Sequence, residues 1–264
     1  MANVERKIED SNIFIADFFN ASPKGELGLM EYPYFALSKS DTKVFRYEHP
    51  KNGTWIEIAP SMHGRATIYD KDMLLYCTGQ IAQAMNKKES VSRHVRVTAH
   101  DYLTATRRGT SGKDYDALHS SLARLRGTTF KTNLHDMGGR EVFGLIDEAE
   151  LITDEAGRMK YIDVVLGRRM FEAIIEGNIL TYNEDYFFLG PNERRAYELA
   201  RKHCGSQARW HMSIEPFHRK FGSRSPLTRF RRILIDLAEN DRVPDYSLEI
   251  DPMADLVVVR RKQR

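Results

Sequence analysis

An α+β chain made of two winged helix-turn-helix units in tandem is the fold this sequence predicts. Three observations carry the prediction. Two helical patterns joined by a short polar turn and followed by alternating, strand-like segments occur in the first two thirds of the chain and again in the last third. At 264 residues with 41% hydrophobic side chains, the chain is long enough for two domains of roughly a hundred residues or more. The third observation is the charge: the net +3 is a sum of unlike blocks. Lys and Arg less Asp and Glu give −2 over residues 1–60, 0 over 61–86, +6 over 87–133, −7 over 134–190, +8 over 191–232 and −2 over 233–264. Two basic stretches flanking an acidic one point to a polyanionic partner more strongly than a uniform excess does.

Several classes drop out at once. No run approaches the roughly 18 apolar residues of a membrane span. The first thirty residues alternate charge with apolar side chains and show no secretory signal pattern. Cys77 and Cys204 are too few for a disulfide framework, so a reducing cytoplasm is the expected location.

Taken in order, residues 1–29 read as an N-terminal arm whose cluster Ile13, Phe14, Ile15, Phe18 and Phe19 suits either a helical face or a core-docking segment. Phe45 to Tyr47 and Thr54 to Ala59, around Pro50, Asn52 and Gly53, predict a hairpin. From Asp70 to Asn86 the residues Met73, Leu74, Cys77, Ile81, Ala84 and Met85 recur at three and four, with Asp70 as the expected N-cap. A β-branched run, Val95 to Val97, precedes a helix from Thr98 to Thr106. The polar turn Arg107 to Asp114 leads into a helix from Tyr115 to Arg126 with an inner seam of Leu118, Leu122 and Leu125. Thr128 to Asn133 and Glu141 to Ile146, around the turn His135 to Arg140, are the expected wing. The strand Tyr161 to Leu166 and helix Arg168 to Glu176 complete a first unit over residues 30–178.

The plan repeats over residues 179–264. Pro191 opens a helix to His203, and a second runs from Ser213 to Phe221 with Pro216 in its first turn. The basic turn Gly222 to Ser225 leads into a third helix from Pro226 to Glu239, with Phe230, Ile233, Leu234 and Leu237 inside. Tyr246 to Ile250 and Leu256 to Arg261 form the closing hairpin.

A third helix whose apolar seam packs on its own domain leaves the opposite face free to enter a major groove about 12 Å wide. On the second such helix Thr228, Arg229, Arg231 and Arg232 lie beside Arg224 and Ser225, with wing residues Arg260 and Arg261 nearby. Around the first are Arg107, Arg108, Lys113, Tyr115, His119, Ser120, Arg124 and Lys131. These sixteen are the candidate DNA contacts. Arginine binds guanine O6 and N7 bidentately, whereas hydroxyls and lysines suit phosphate.

Other chemistry is poorly supported. Arg108 to Asp114 has a phosphate-loop look, but its glycine spacing is short and Asp114 stands where a magnesium-binding Ser or Thr belongs. His203, Cys204, His211 and His218 match no common zinc spacing. Asp147, Glu148, Glu150, Asp154 and Glu155 read as a solvated acidic loop. No His-x-His pair accompanies a nucleophilic tyrosine, so no catalytic residue, metal or cofactor is assigned.

The blocks Met30-Glu31-Tyr32-Pro33-Tyr34-Phe35-Ala36-Leu37-Ser38-Lys39, Ala59 to Asp72, Leu74-Leu75-Tyr76-Cys77 and Leu122 to Thr128 make the sequence resemble the plasmid replication initiator protein A family. The resemblance covers much of residues 30–190. It implies a non-enzymatic protein of two winged-helix domains that binds repeated sites in duplex DNA at an origin. It also implies opening of the origin, recruitment of the host initiator and replicative helicase, N-terminal dimerisation and repression of the protein's own promoter. A winged-helix repressor without a replication role, and a protein-interaction module, are the rival readings.

Overall fold

The apolar cluster near the N-terminus does not coil. Phe14–Ala16 forms strand β1, running parallel to a later strand so that Phe14 and Ala16 point into the core and Ile15 outward. The computed structural model describes residues 13–18, 20–49, 52–134 and 139–263, so Phe19 and residues 1–12 of the expected arm lie outside the described residues. Strand β2 (Lys24–Glu26) leads into the single-turn helix α1 (Leu27–Glu31), which is capped by the Glu26 carboxylate accepting from the backbone of Gly28 and Leu29, both at 2.7 Å. Strands β3 (Phe45–Glu48) and β4 (Trp55–Ala59) form the expected hairpin.

Helix α2 (Asp72–Asn86) is the spine of the first half, with Met73, Leu74, Cys77, Ile81 and Ala84 fully buried. Asp70 is not its N-cap. That carboxylate accepts from Thr67 N at 2.8 Å and from Thr67 Oγ1 at 3.0 Å and holds an arginine from another helix, and the helix begins two residues later. Gly79 is required on α2, because a Cβ there would lie 2.5 Å from the Ser22 carbonyl oxygen of the crossing N-terminal segment. Strand β5 (His94–Thr98), helix α3 (Ala99–Ala105) and helix α4 (Gly112–Gly127) follow. The last starts three residues earlier than its apolar seam indicated, because Ser111 and Asp114 form a capping box.

The hairpin expected as the first wing belongs to a different sheet. Strands β6 (Thr129–Thr132) and β7 (Glu141–Phe143) do pair, but they extend the early hairpin into a four-stranded sheet of order β3-β4-β6-β7. Residues 135–138 of the expected turn are outside the described residues. The hairpin next to β5 is instead formed by β8 (Ile146–Thr153) and β9 (Met159–Leu166), giving the order β1-β5-β9-β8. Of the acidic segment expected as a loop, Asp147, Glu148 and Glu150 lie on β8, and only Asp154 and Glu155 lie in the turn to β9. Glu148 and Glu150 are exposed on this edge strand, a common protection against edge-to-edge pairing, and this hides the strand in the composition.

Helix α5 (Arg168–Ile175) and strand β10 (Ile179–Thr181) close the first half, β10 pairing antiparallel with β2. A 3-10 helix (Glu184–Phe188) leads into α6 (Pro191–His203). Strand β11 (Arg209–Ser213) escaped the sequence reading. After it come α7 (Ile214–Phe221), α8 (Leu227–Asn240), β12 (Tyr246–Asp251) and β13 (Leu256–Arg261). Their sheet has the order β11-β13-β12. With β6 and β7 set aside in their own sheet, helix, strand, helix, helix, strand, strand occurs twice, from α2 to β9 and from α6 to β13, and each time the last strand lies between the other two.

Each half has its own apolar cluster, but Met30 and Leu75 of the first belong to the cluster of the second. Polar groups fasten the seam. Buried Lys71 donates to Glu198 at 2.7 Å, to Tyr182 Oη at 3.1 Å and to the Leu29 carbonyl at 3.1 Å. Glu198 also accepts from Tyr186 Oη and pairs with Arg195, which reaches the carbonyls of Met30, Glu31 and Lys220. Arg194 meets Asp72 at 2.5 Å.

Candidate nucleic-acid interface

On α8 the side chains sort by helical period. Phe230, Leu234 and Leu237 are buried, with Phe230 packed against Phe217 and Phe221 of α7 at ring separations of 6.3 and 5.1 Å. Thr228, Arg229 and Arg232 are exposed on the opposite face, followed by Ile235, Asp236 and Glu239. The free face is therefore basic over its N-terminal half and acidic over its C-terminal half. That polarity matters, because the N-terminal residues of a recognition helix are the ones that reach base edges. Neither Arg229 nor Arg232 has an ion pair among the described residues.

The neighbouring candidates are held more tightly. Arg231 pairs with Asp255 of the β12–β13 turn at 2.5 Å, which raises the arginine pKa and lowers that of the aspartate. Arg260 pairs with Glu249 at 2.8 Å, while Arg261 is exposed. Ser225 is half-buried in the α7–α8 turn, where its N–H donates to Ser223 Oγ at 3.2 Å.

Arg224 is exposed, yet it is held by the protein itself. It grips Asp41 at 3.0 Å, donates to the carbonyls of Lys43 and Val44, and lies over the Phe45 ring. It thus secures the second half to the loop before β3, where buried Arg65 also faces Asp41 at 3.3 Å.

The surroundings of α4 differ more from expectation. Lys113, His119 and Ser120 are exposed, together with Asp116 and Arg126. Arg124 turns inward and binds Asp70 bidentately at 2.7 and 2.8 Å. Arg108 donates to Asp72 at 2.9 Å and to the Tyr69 carbonyl at 2.5 Å; burial opposes its charge, but nearby Tyr102 and the Asp72 carboxylate outweigh that and hold it firmly cationic but occupied. Tyr115 packs against the first core. Lys131 lies on β6, in the sheet away from the β8–β9 hairpin, and pairs with Glu57 at 3.2 Å. Each of these four meets a tertiary partner that its place in the sequence does not show, Arg108, Arg124 and Tyr115 turning inward while Lys131 stays exposed. Arg107 is exposed, its guanidinium 5.3 Å from the Phe188 ring.

The +8 of residues 191–232 shrinks in the same way. Arg194, Arg195 and Lys220 are buried, and Arg201, Lys202, Arg219, Arg224 and Arg231 each have a protein partner. Arg209, Arg229 and Arg232 remain. Arg209 was missed, although the alternation Arg209-Trp210-His211-Met212-Ser213 carries a strand signal; it sits opposite Arg260 in the sheet, extending a basic edge.

Comparison with known proteins agrees with a replication role. The family described as "Replication initiator protein A" matches residues 24–248. A curated protein named "Putative replication protein", from Wigglesworthia glossinidia brevipalpis, is 32% identical over 265 residues, covering 97% of this chain and 95% of that protein. Two crystal structures of domains 2 and 3 of RctB share the fold at 14% identity. One has a TM-score of 0.62 over 87% of this chain and 95% of its own; the other has 0.54 over 90% and 97%.

Proposed function

Because this chain belongs to the replication initiator protein A family, we propose that it initiates replication by binding repeated duplex-DNA sites at an origin through two winged helix-turn-helix units. One is built on residues 30–178, to which β1, β2 and β10 add their strands, and the other runs from α6 to β13 within residues 179–264. The repeated order of elements and of strands supports the winged-helix assignment.

The observation that carries the reading is the free face of α8. Thr228, Arg229 and Arg232 stand exposed at its N-terminal end while its other face is fixed by Phe230, Leu234 and Leu237. A rigid helix with unpaired guanidiniums on one end is suited to guanine edges, and Arg209, Arg260 and Arg261 on the adjoining sheet suit the phosphates. The α4 unit contributes Lys113, His119 and Ser120. Since the seam around Lys71 and Glu198 is buried, the two readers are held at a fixed spacing, and binding by one raises the effective concentration of the other.

Opening of the origin needs no catalytic group if binding energy offsets the cost of bending and unstacking. The protein is thus a non-enzymatic cytoplasmic initiator that recruits the host initiator and replicative helicase, dimerises through its first unit and represses its own promoter as a dimer. No helix among the described residues is long and apolar enough to cross a membrane.

Replacing Arg229, Arg231 and Arg232 with alanine tests the reading. Specific footprinting on cognate repeats is expected to vanish with the fold intact by circular dichroism; an unchanged footprint overturns it. A plasmid carrying the gene and its upstream repeats is expected to replicate. Reporter silencing without replication would identify a repressor instead.

A further inference from the structure

Between the α3–α4 turn, the start of α2 and the 3-10 helix lies a cavity of about 310 Å³ that the DNA-reading face does not use. Its lining is strongly unbalanced in charge. Lys39, Arg107, Arg108, Arg124 and Arg194 face only two carboxylates, Asp70 and Asp72. Both carboxylates are already satisfied. Asp70 is held by Arg124 and Thr67, and Asp72 by Arg194 at 2.5 Å and Arg108 at 2.9 Å. Arg124 spends Nε and Nη2 on Asp70, and Arg108 spends Nη2 on Asp72 and the Tyr69 carbonyl. Nη1 of Arg124 and both Nε and Nη1 of Arg108 have no hydrogen bond among the described residues. The carboxylates therefore fix the guanidiniums in place without using up their donors.

Two further cations complete the lining. Lys39 and Arg107 are exposed, and neither forms an ion pair among the described residues. Arg107 has a left-handed backbone, with φ of 57°. It directly follows the C-cap of α3, and the Arg108 N–H donates back to the Leu103 carbonyl at 2.8 Å. That is a position where glycine is the usual residue, because a Cβ is unfavourable there. An arginine in its place trades backbone ease for a charge at this site, its guanidinium aligned by the exposed Phe188 ring.

We propose that this cavity is a phosphate-binding site. Rigid guanidiniums, a net positive lining and unpaired cations favour a multiply charged oxyanion over a carboxylate or a neutral ligand. At a share of about 30 Å³ per water molecule, the space accommodates one or two phosphate groups with part of their hydration. The phosphate comes either from a small soluble anion or from a DNA strand passing the α3–α4 turn, and the two sources are separable by experiment.

The full chain is titrated calorimetrically with pyrophosphate at low ionic strength, without DNA, beside the double variant Lys39→Ala, Arg107→Gly. Glycine at 107 suits the local φ, so the variant is expected to melt no lower than the parent. Binding of pyrophosphate that weakens at least tenfold in the variant supports the site and identifies a soluble anion as its ligand. If pyrophosphate does not bind, but the slope of log K against log salt for duplex DNA becomes shallower by about 1.8 in the variant, the site takes two backbone charges' worth of DNA. Pyrophosphate binding of equal strength in both proteins overturns the proposal, as does the absence of both effects. Since the first arm contains no DNA, its result stands whether or not α8 reads an origin.

Discussion

The two third helices, α4 and α8, begin from similar sequence patterns and end in opposite electrostatic situations. Both carry an inner apolar seam and a polar outer face. Around α4, however, Arg124 and Arg108 fold back onto Asp70 and Asp72, whereas on α8 Arg229 and Arg232 remain in solvent. The difference lies in what each helix is packed beside. The start of α2 brings two aspartates under α4, while the N-terminal end of α8 faces outward with its nearest acid, Asp255, satisfied by Arg231. An arginine-rich stretch is thus no measure of a nucleic-acid surface. Cations without a protein partner are the better count.

The comparison breaks most readily at the seam joining the halves. Glu198→Ala leaves Lys71 and Arg195 buried without their counter-charge, and is expected to cost about 4 kcal/mol of stability. Urea unfolding measures this, and a loss below about 1 kcal/mol would show that the seam is not held by these charges.

Arg124→Ala and the pair Arg229→Ala, Arg232→Ala separate structural arginines from reading ones. The first is expected to cost about 3 kcal/mol of stability by abandoning a buried Asp70. The second should change stability by less than about 0.5 kcal/mol. It should nevertheless weaken specific DNA binding by on the order of 100-fold. Thermal melts and gel-shift titrations at one salt concentration suffice, and a reversed pattern would exchange the roles of the two helices.

His203 provides a pH test specific to the second half. It stacks on Trp210 at 4.9 Å, and burial, reinforced by nearby Lys220, pulls its pKa down to about 4. The unfolded chain, with a histidine pKa near 6.5, therefore binds the extra proton first. Stability from this group is present above pH 6.5 and is lost as the pH falls from about 6.5 towards 4, by roughly 3 kcal/mol. His203→Gln is expected to flatten that part of the stability profile; an unchanged slope would place the titration elsewhere.

The smallest effect sharpens the comparison on α8 itself. Asp255→Asn frees Arg231 beside two arginines that are already free. DNA binding should tighten a few-fold, with a steeper salt dependence. Weaker binding would mean that the ion pair shapes the β12–β13 turn for contact.

Much of the fold was legible in the residues because local patterns act locally. The apolar periods mark α2 and α4 to within three residues, and α6, α8 and the last hairpin to within one, since each element buries the face its own sequence marks. The first wing was lost because a hairpin's alternation is the same whatever sheet it joins. Residues 129–143 look like a wing until β4 captures β6, with Ile58 opposite Phe130 and Ala59 opposite Thr129. Among the candidate contacts, the exposure of Thr228, Arg229 and Arg232 is legible because α8's seam fixes which side faces out. The protein partners of Arg108, Arg124, Arg224 and Lys131 are not legible in the sequence, because they lie 36 to 183 positions away in the chain.

By itself, then, the sequence determined the α+β class, the repeated order of elements and the family, all of which are written in short-range periodicity and in contiguous blocks of residues. Only the tertiary structure decided which charges are available. A side chain's charge is a property of its residue, but whether it is neutralised depends on what packs within about 4 Å of it, and in this chain those neighbours come from the other end of the sequence.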